Sequence, residues 1–172
     1  MSTKVLSNGK PLSATAGVVI TNTKFPFYRG YRLAEELCTA AKKEARKTPG
    51  TSWLDFHVVY GGFSGFLEDI REEKYQIKDD ALNFGPYIIS QDGNEKSINH
   101  LINGIAYLSQ DDVWPRSKVK ELRDILTLGS ESKSKFLEEM AIKGRRPYEI
   151  PSKGYHLAGN GWEDGKTPYF DM

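Results

Sequence analysis

Apolar residues recur along this chain with two different periods. Gly17 to Ile20 and Leu54 to Val59 are short and rich in β-branched residues. Between them Leu33, Leu37 and Ala41 return every fourth position, with Ala34, Cys38 and Ala45 beside them. Short runs of the first kind predict strands, and fourfold spacing predicts a helix, here from Arg29 to Lys47. Residues 13 to 59 therefore read as strand–helix–strand, the unit around which the rest is organised. Pro26 cannot lie inside the helix and Pro49-Gly50 ends it. Lys42, Lys43, Arg46 and Lys47 suit the negative end of its dipole. In the second strand Leu54, Phe56 and Val58 alternate with Asp55, His57 and Val59, a pattern that suits a strand with one fully buried face.

Beyond residue 60 the pattern weakens and then changes. Residues 1 to 12 are a polar lead-in with an Asn8-Gly9 turn signal. Tyr60 to Gly65 is glycine-rich and must turn; residues 66 to 80 are acidic on balance and expected at the surface; Asn83 to Ile89 reads as a short extended piece. From Ser97 the helical period returns. Ile98, Leu101, Ile102, Ile105 and Leu108 form one predicted stripe. Pro115 opens a second helix, with Val119, Leu122, Ile125 and Leu126 inward. Ser130 is expected to cap a third, with Phe136, Leu137 and Met140 facing a core. Short connections imply a small antiparallel bundle. The tail from Gly144 reads as loop, ending in an aromatic stretch cut off as though another helix should follow. The expected organisation is 1–60 as the strand–helix–strand part, 61–96 as connector and 97–172 as helical region, an α/β (α+β) fold.

Composition narrows the function classes. The 172 residues are 38% hydrophobic and 27% charged, with a formal net charge of +1, so no overall charge excess draws the chain to nucleic acid or membrane. No apolar run approaches the roughly 18 residues of a membrane span. The start of the chain lacks the apolar segment of a secretory signal. One cysteine, Cys38, fits a reducing, cytoplasmic setting.

Thr15-Ala16-Gly17-Val18-Val19-Ile20, Lys24-Phe25-Pro26, Ala34-Glu35-Glu36-Leu37 and Ala41-Lys42-Lys43, followed by Leu54-Asp55-Phe56-His57, carry a resemblance. They resemble the second palm domain of the large subunit of type III CRISPR effector complexes, which is related to nucleotide cyclases and makes cyclic oligoadenylates from ATP. Pro115-Arg116-Ser117-Lys118 with Leu122-Arg123 looks like the helical region that follows this palm. The resemblance covers the first third of the chain and, more loosely, the helical part. It implies the C-terminal half of a ferredoxin-like palm, acting on ATP with Mg2+ in antiviral defence. The family's metal-binding carboxylates, a Gly-Gly-Asp-Asp hairpin and an earlier aspartate, lie upstream of the matched part. Gly61-Gly62-Phe63-Ser64 has Phe and Ser where two aspartates would stand. Magnesium needs such oxygen ligands, so the chain alone is expected to be inactive and its carboxylates to come from outside it.

Under this resemblance Lys42 is the residue expected to reach nucleotide phosphates, and Thr15 with Gly17 the place where backbone meets a ligand; their bland readings are a solvated helix-end lysine and an ordinary strand. Asp55 and His57 share a strand face without a third metal ligand in view, and read as structural; His100 and His156 are isolated and read as structural or exposed. Lys43, Arg46, Lys47, Arg116 and Lys118 are candidates for RNA contact, against a reading as routine surface charge. Trp53, Trp114 and Trp162 are too scattered for a stacking platform. A half palm would expose a sheet edge and an apolar face, which predicts a homodimer, an upstream palm half or another protein partner. The alternative to cyclase chemistry is a non-catalytic scaffold binding RNA or protein.

Overall fold

The computed structural model describes residues 12–59, 65–77, 80–89 and 96–146. The readings placed on residues 1–11, on Gly61-Gly62-Phe63-Ser64, on His156 and Trp162, and on the tail beyond Arg146 lie outside these. The elements run β1 (Thr15–Ile20), α1 (Phe27–Lys47), β2 (Ser52–Val58), α2 (Leu67–Tyr75), β3 (Gln76–Ile77), β4 (Asp80–Ala81), β5 (Tyr87–Ile89), α3 (Ile98–Leu108), α4 (Arg116–Leu126) and α5 (Ser130–Ile142). The fold is α/β: a strand–helix–strand unit followed by a small helical unit. The chain divides into two compact units, Met1–Ile70 with Gly85–Gln91, and Arg71–Phe84 with Asp92–Met172. The stretch expected as a connector is shared between them.

In the first unit β1 and β2 are parallel neighbours, in register from Thr15 opposite Trp53 to Ile20 opposite Val58. Backbone bonds from Trp53 N to Ala14 O (3.0 Å) and Val59 N to Ile20 O (2.8 Å) carry the ladder past both ends. β5 adds antiparallel on the far side of β2, with Trp53 opposite Ile88, giving the order β1-β2-β5. The two strands flanking α1 thus pair directly, with no strand between them as a split βαβ arrangement would have.

Helix α1 starts immediately after Pro26, whose extended backbone precedes it, two residues before the expected start. Its buried residues are Leu33, Leu37 and Ala41, as the fourfold spacing predicts. It lies over Thr15, Gly17 and Val19 of β1 and the matching residues of β2. Ala41 packs with Trp53 and Ile88, and the Cys38 thiol donates to Thr15 O at 3.7 Å. The buried face of β2 is therefore that of Trp53 (4% exposed) and Asp55 (1%), not that of Leu54, Phe56 and Val58, which are half-buried. The helix chooses the face. Leu54, Phe56 and Val58 instead share the helix-free side with Ala16, Val18 and Ile20, where Phe56 stacks on Tyr87 at 5.8 Å.

Residues expected only at the surface include α2, which buries Leu67 and Ile70 and exposes its carboxylates. The Glu36 carboxylate of α1 accepts from Leu67 N at 2.6 Å and Asp69 accepts from Phe66 N at 3.0 Å, satisfying amides at the start of the helix.

The second unit has its own core: Leu82, Leu108, Trp114, Leu122, Leu126, Phe136, Leu137 and Met140. Ser97 caps α3, accepting from Asn99 N at 3.3 Å. The buried side of α3 is His100, Leu101, Gly104 and Leu108; Ile102 and Ile105, expected in the stripe, are exposed. On α4 Leu122 and Leu126 are buried with Val119 and Ile125 packed beside them. The residue before α5 is Gly129, at φ 95°, so Ser130 is the first helical residue and not the cap. Lys133 of α5 is fully buried.

Candidate nucleic-acid interface

Of the residues expected to hold a nucleotide, Gly17 and Thr15 lie against α1. A Cβ on Gly17 would stand 2.1 Å from Ala34 O and 2.4 Å from Cys38 N, so what approaches this glycine is the backbone of α1. Thr15 Oγ1 faces the same helix, 3.8 Å from Cys38 Sγ. Both positions are committed to packing. Lys42 is exposed near the C-terminal end of α1, whereas ligands of parallel α/β layers gather at the carboxyl ends of the strands and the helix N-termini.

Asp55 is buried and accepts from its neighbour Phe56 N at 3.0 Å. His57, two residues on and on the same face, is half-buried; both are engaged within the chain. No group of three or more His, Cys, Asp or Glu that could hold a metal ion occurs among the described residues. The described residues thus offer no carboxylate cluster for an ATP–Mg2+ group, and no catalytic step is derived through one. No described helix is long and apolar enough to cross a membrane.

The candidate cations fall into two clusters, and the two differ. Lys42, Lys43, Arg46 and Lys47 lie on α1; Arg116, Lys118, Lys120 and Arg123 lie on α4, with Lys143, Arg145 and Arg146 nearby. In the second, Lys118 Nζ lies 2.5 Å from Glu121 and 5.9 Å from the centre of the Phe136 ring, so it is tied into its own unit. Lys143 pairs with Glu139, whose carboxyl this bond and charge hold below the usual range; Glu131, 2.8 Å from Lys135, raises that ammonium in the same way. Arg116 is exposed. The helical unit therefore presents a mixed-sign surface with Lys118, one of its candidate cations, already paired.

The first cluster is less neutralised. Lys47 pairs with Glu44 at 2.7 Å. Lys42, Lys43 and Arg46 are exposed, and none has an acidic partner among the described residues. Tyr28, Tyr31, Glu35, Thr39, Lys42 and Arg46 follow one another at steps of three or four and are all exposed, which makes them one stripe opposite Leu33, Leu37 and Ala41. At 21 residues the helix is about 31 Å long. Its basic end is one terminus of that stripe. The other is aromatic: Phe27, Tyr28 and Tyr31 are exposed by 85%, 67% and 57%. Sequence reasoning missed these three. The signal was present, since aromatics at i, i+1 and i+4 sit away from the predicted buried stripe, but a helix predicted to start at Arg29 leaves Phe27 and Tyr28 outside it. Compared with protein-family models and with curated proteins, the chain matches none.

Proposed function

We propose that this chain is a non-catalytic α/β scaffold that binds RNA along the solvent-facing side of α1. The observation that supports it is the set Lys42, Lys43 and Arg46, exposed together at one helix end without neutralising carboxylates among the described residues. Three such cations released from competition with acids attract a phosphate backbone and displace its counterions. Of the other candidates, Lys118 contributes less because it is paired with Glu121. With three phosphates neutralised, affinity for a single strand should fall about 20-fold between about 50 and 200 mM salt.

The test is fluorescence anisotropy with a labelled uridine oligomer of about 12 nucleotides. Lys42→Glu/Lys43→Glu/Arg46→Glu is expected to lose most of the affinity and flatten the salt dependence, with the far-ultraviolet circular dichroism unchanged. An intact chain that binds no RNA at low salt sinks this reading.

A second reading, pairing through β1 with another chain, is favoured by one observation. Among the described residues β1 pairs only with β2, and its outer edge is the uncharged run Thr15 to Ile20, with Val18 (41%) and Ile20 (53%) exposed. An edge without charge or proline is a template for a further strand. Should a second copy fill it, light scattering behind size exclusion will find a dimer in the intact chain and a monomer in Val18→Lys. A wild type that stays monomeric across the accessible concentration range rules out self-pairing. The cyclase reading, with ATP, Mg2+ and antiviral defence, rests on the resemblance and would need carboxylates from an upstream palm half or a partner; the cytoplasmic setting rests on the single cysteine.

A further inference from the structure

We propose that Phe27, Tyr28 and Tyr31 form a stacking platform for unpaired nucleobases, so that α1 takes single-stranded RNA in preference to duplex. The inference rests on the RNA reading above and adds to it the part of the ligand that is read. Large aromatic rings left in water forgo the favourable burial they would gain in a core. Here three occur within five residues at one helix start, and each is more than half exposed.

Their neighbours hold them in order. The Phe27 and Tyr31 rings lie 6.4 Å apart at 31°, one turn from each other on the same side of the helix. Arg29 Nε donates to Tyr28 Oη at 3.0 Å, with its guanidinium 5.7 Å from the ring centre. One turn on, Arg32 lies 4.5 Å over the ring of Phe66, itself 56% exposed. A cation beside an exposed ring favours a partner that offers both a π face and negative charge, and a nucleotide offers both.

Charge along the helix agrees. Glu36 is held by Arg32 at 3.7 Å and by Leu67 N, and Glu44 by Lys47, which leaves Glu35 as the exposed carboxylate between aromatic and basic ends. Phosphates would be held at Lys42, Lys43 and Arg46 while bases lie on the rings further along the same stripe. In a duplex the bases already stack on one another and have no face to give. The platform therefore discriminates by strandedness rather than by sequence.

Phe27→Ala/Tyr31→Ala, measured against a uridine oligomer and against a fully paired RNA duplex of equal length, separates the possibilities. The aromatic variant is expected to lose about tenfold or more for the single strand, with little change for the duplex and an unchanged salt slope. The triple charge reversal should weaken both ligands. Because the two rings are exposed, the unfolding midpoint of the aromatic variant should match that of wild type. If it binds the oligomer as tightly as wild type, or if wild type prefers the duplex, the platform is refuted while RNA binding stands. If wild type binds neither RNA at low salt, the underlying reading fails and the platform with it.

Discussion

Gly17→Ala is expected to destabilise the α1 unit by about 3 kcal/mol or more, the upper end of what overpacking a core costs. The added methyl has nowhere to go. Its Cβ would lie 2.1 Å from Ala34 O, 2.4 Å from Cys38 N and 2.9 Å from Leu37 Cβ. Two of these are backbone atoms of a regular helix, so no rotamer change relieves them. Helix α1 must move off β1, opening contacts around Leu37 and Ala41, both fully buried. A small domain holds only about 5–15 kcal/mol in total, so the loss is a large fraction. In urea the transition of the sheet unit, followed through Trp53, should move to lower denaturant with its slope unchanged. Gly30→Ala is the internal control. There the nearest atoms to a new Cβ are those of the Phe25 ring at 3.8 and 3.9 Å, an ordinary contact, and the site is inside α1. Relieving a helical glycine should stabilise by about 0.5–1 kcal/mol. The same chemical change thus has opposite signs thirteen residues apart. If Gly17→Ala were as stable as wild type and bound nucleotide less well, Gly17 would be a ligand contact and not a packing position.

That glycine also shows how much of the fold and site could be read in the sequence. The periodicity of Leu33, Leu37 and Ala41, bracketed by Pro26 and Pro49-Gly50, is local information, and it located α1 and its buried side. Which face of a strand is buried is not local. Alternation in β2 separates Leu54, Phe56 and Val58 from Asp55 and His57, but α1 packs on the side carrying Trp53 and Asp55, so a buried carboxylate replaced the apolar set. In α3 apolar residues occur on both flanks of the stripe, and packing selected His100 and Gly104 over Ile102 and Ile105. Helix α2 has just two buried apolar positions, Leu67 and Ile70, and their spacing is lost within an acidic run. The site followed the same rule. Exposed cations on α1 could be read from composition and helix position. That Thr15 and Gly17 are filled by a helix, and that Lys118 is spent on Glu121, are facts of tertiary packing.

Trp114→Ala is expected to cost the helical unit about 3–5 kcal/mol, the range for deleting a buried aromatic. The indole is fully buried in the loop between α3 and α4, and its ring lies 6.4 Å from that of Phe136 on α5. Leu108 of α3 and Leu122 and Leu126 of α4 belong to the same buried cluster as Trp114 and Phe136, so the three helices share one core. Removing it leaves a cavity that stiff helices close only in part. The indole has a second role: Trp114 Nε1 donates to Arg146 O at 2.9 Å, where Tyr107 Oη also donates at 3.0 Å. The two bonds fix the backbone that leaves α5 to the loop before α4 and to α3. Trp114→Phe keeps most of the apolar volume while removing the donor, and Tyr107 still satisfies the carbonyl, so its cost should be about 1 kcal/mol. The order wild type, Trp114→Phe, Trp114→Ala in unfolding midpoint separates packing from hydrogen bonding. Equal losses for the two variants would mean that the bond to Arg146 O, and not the filled volume, holds this core together.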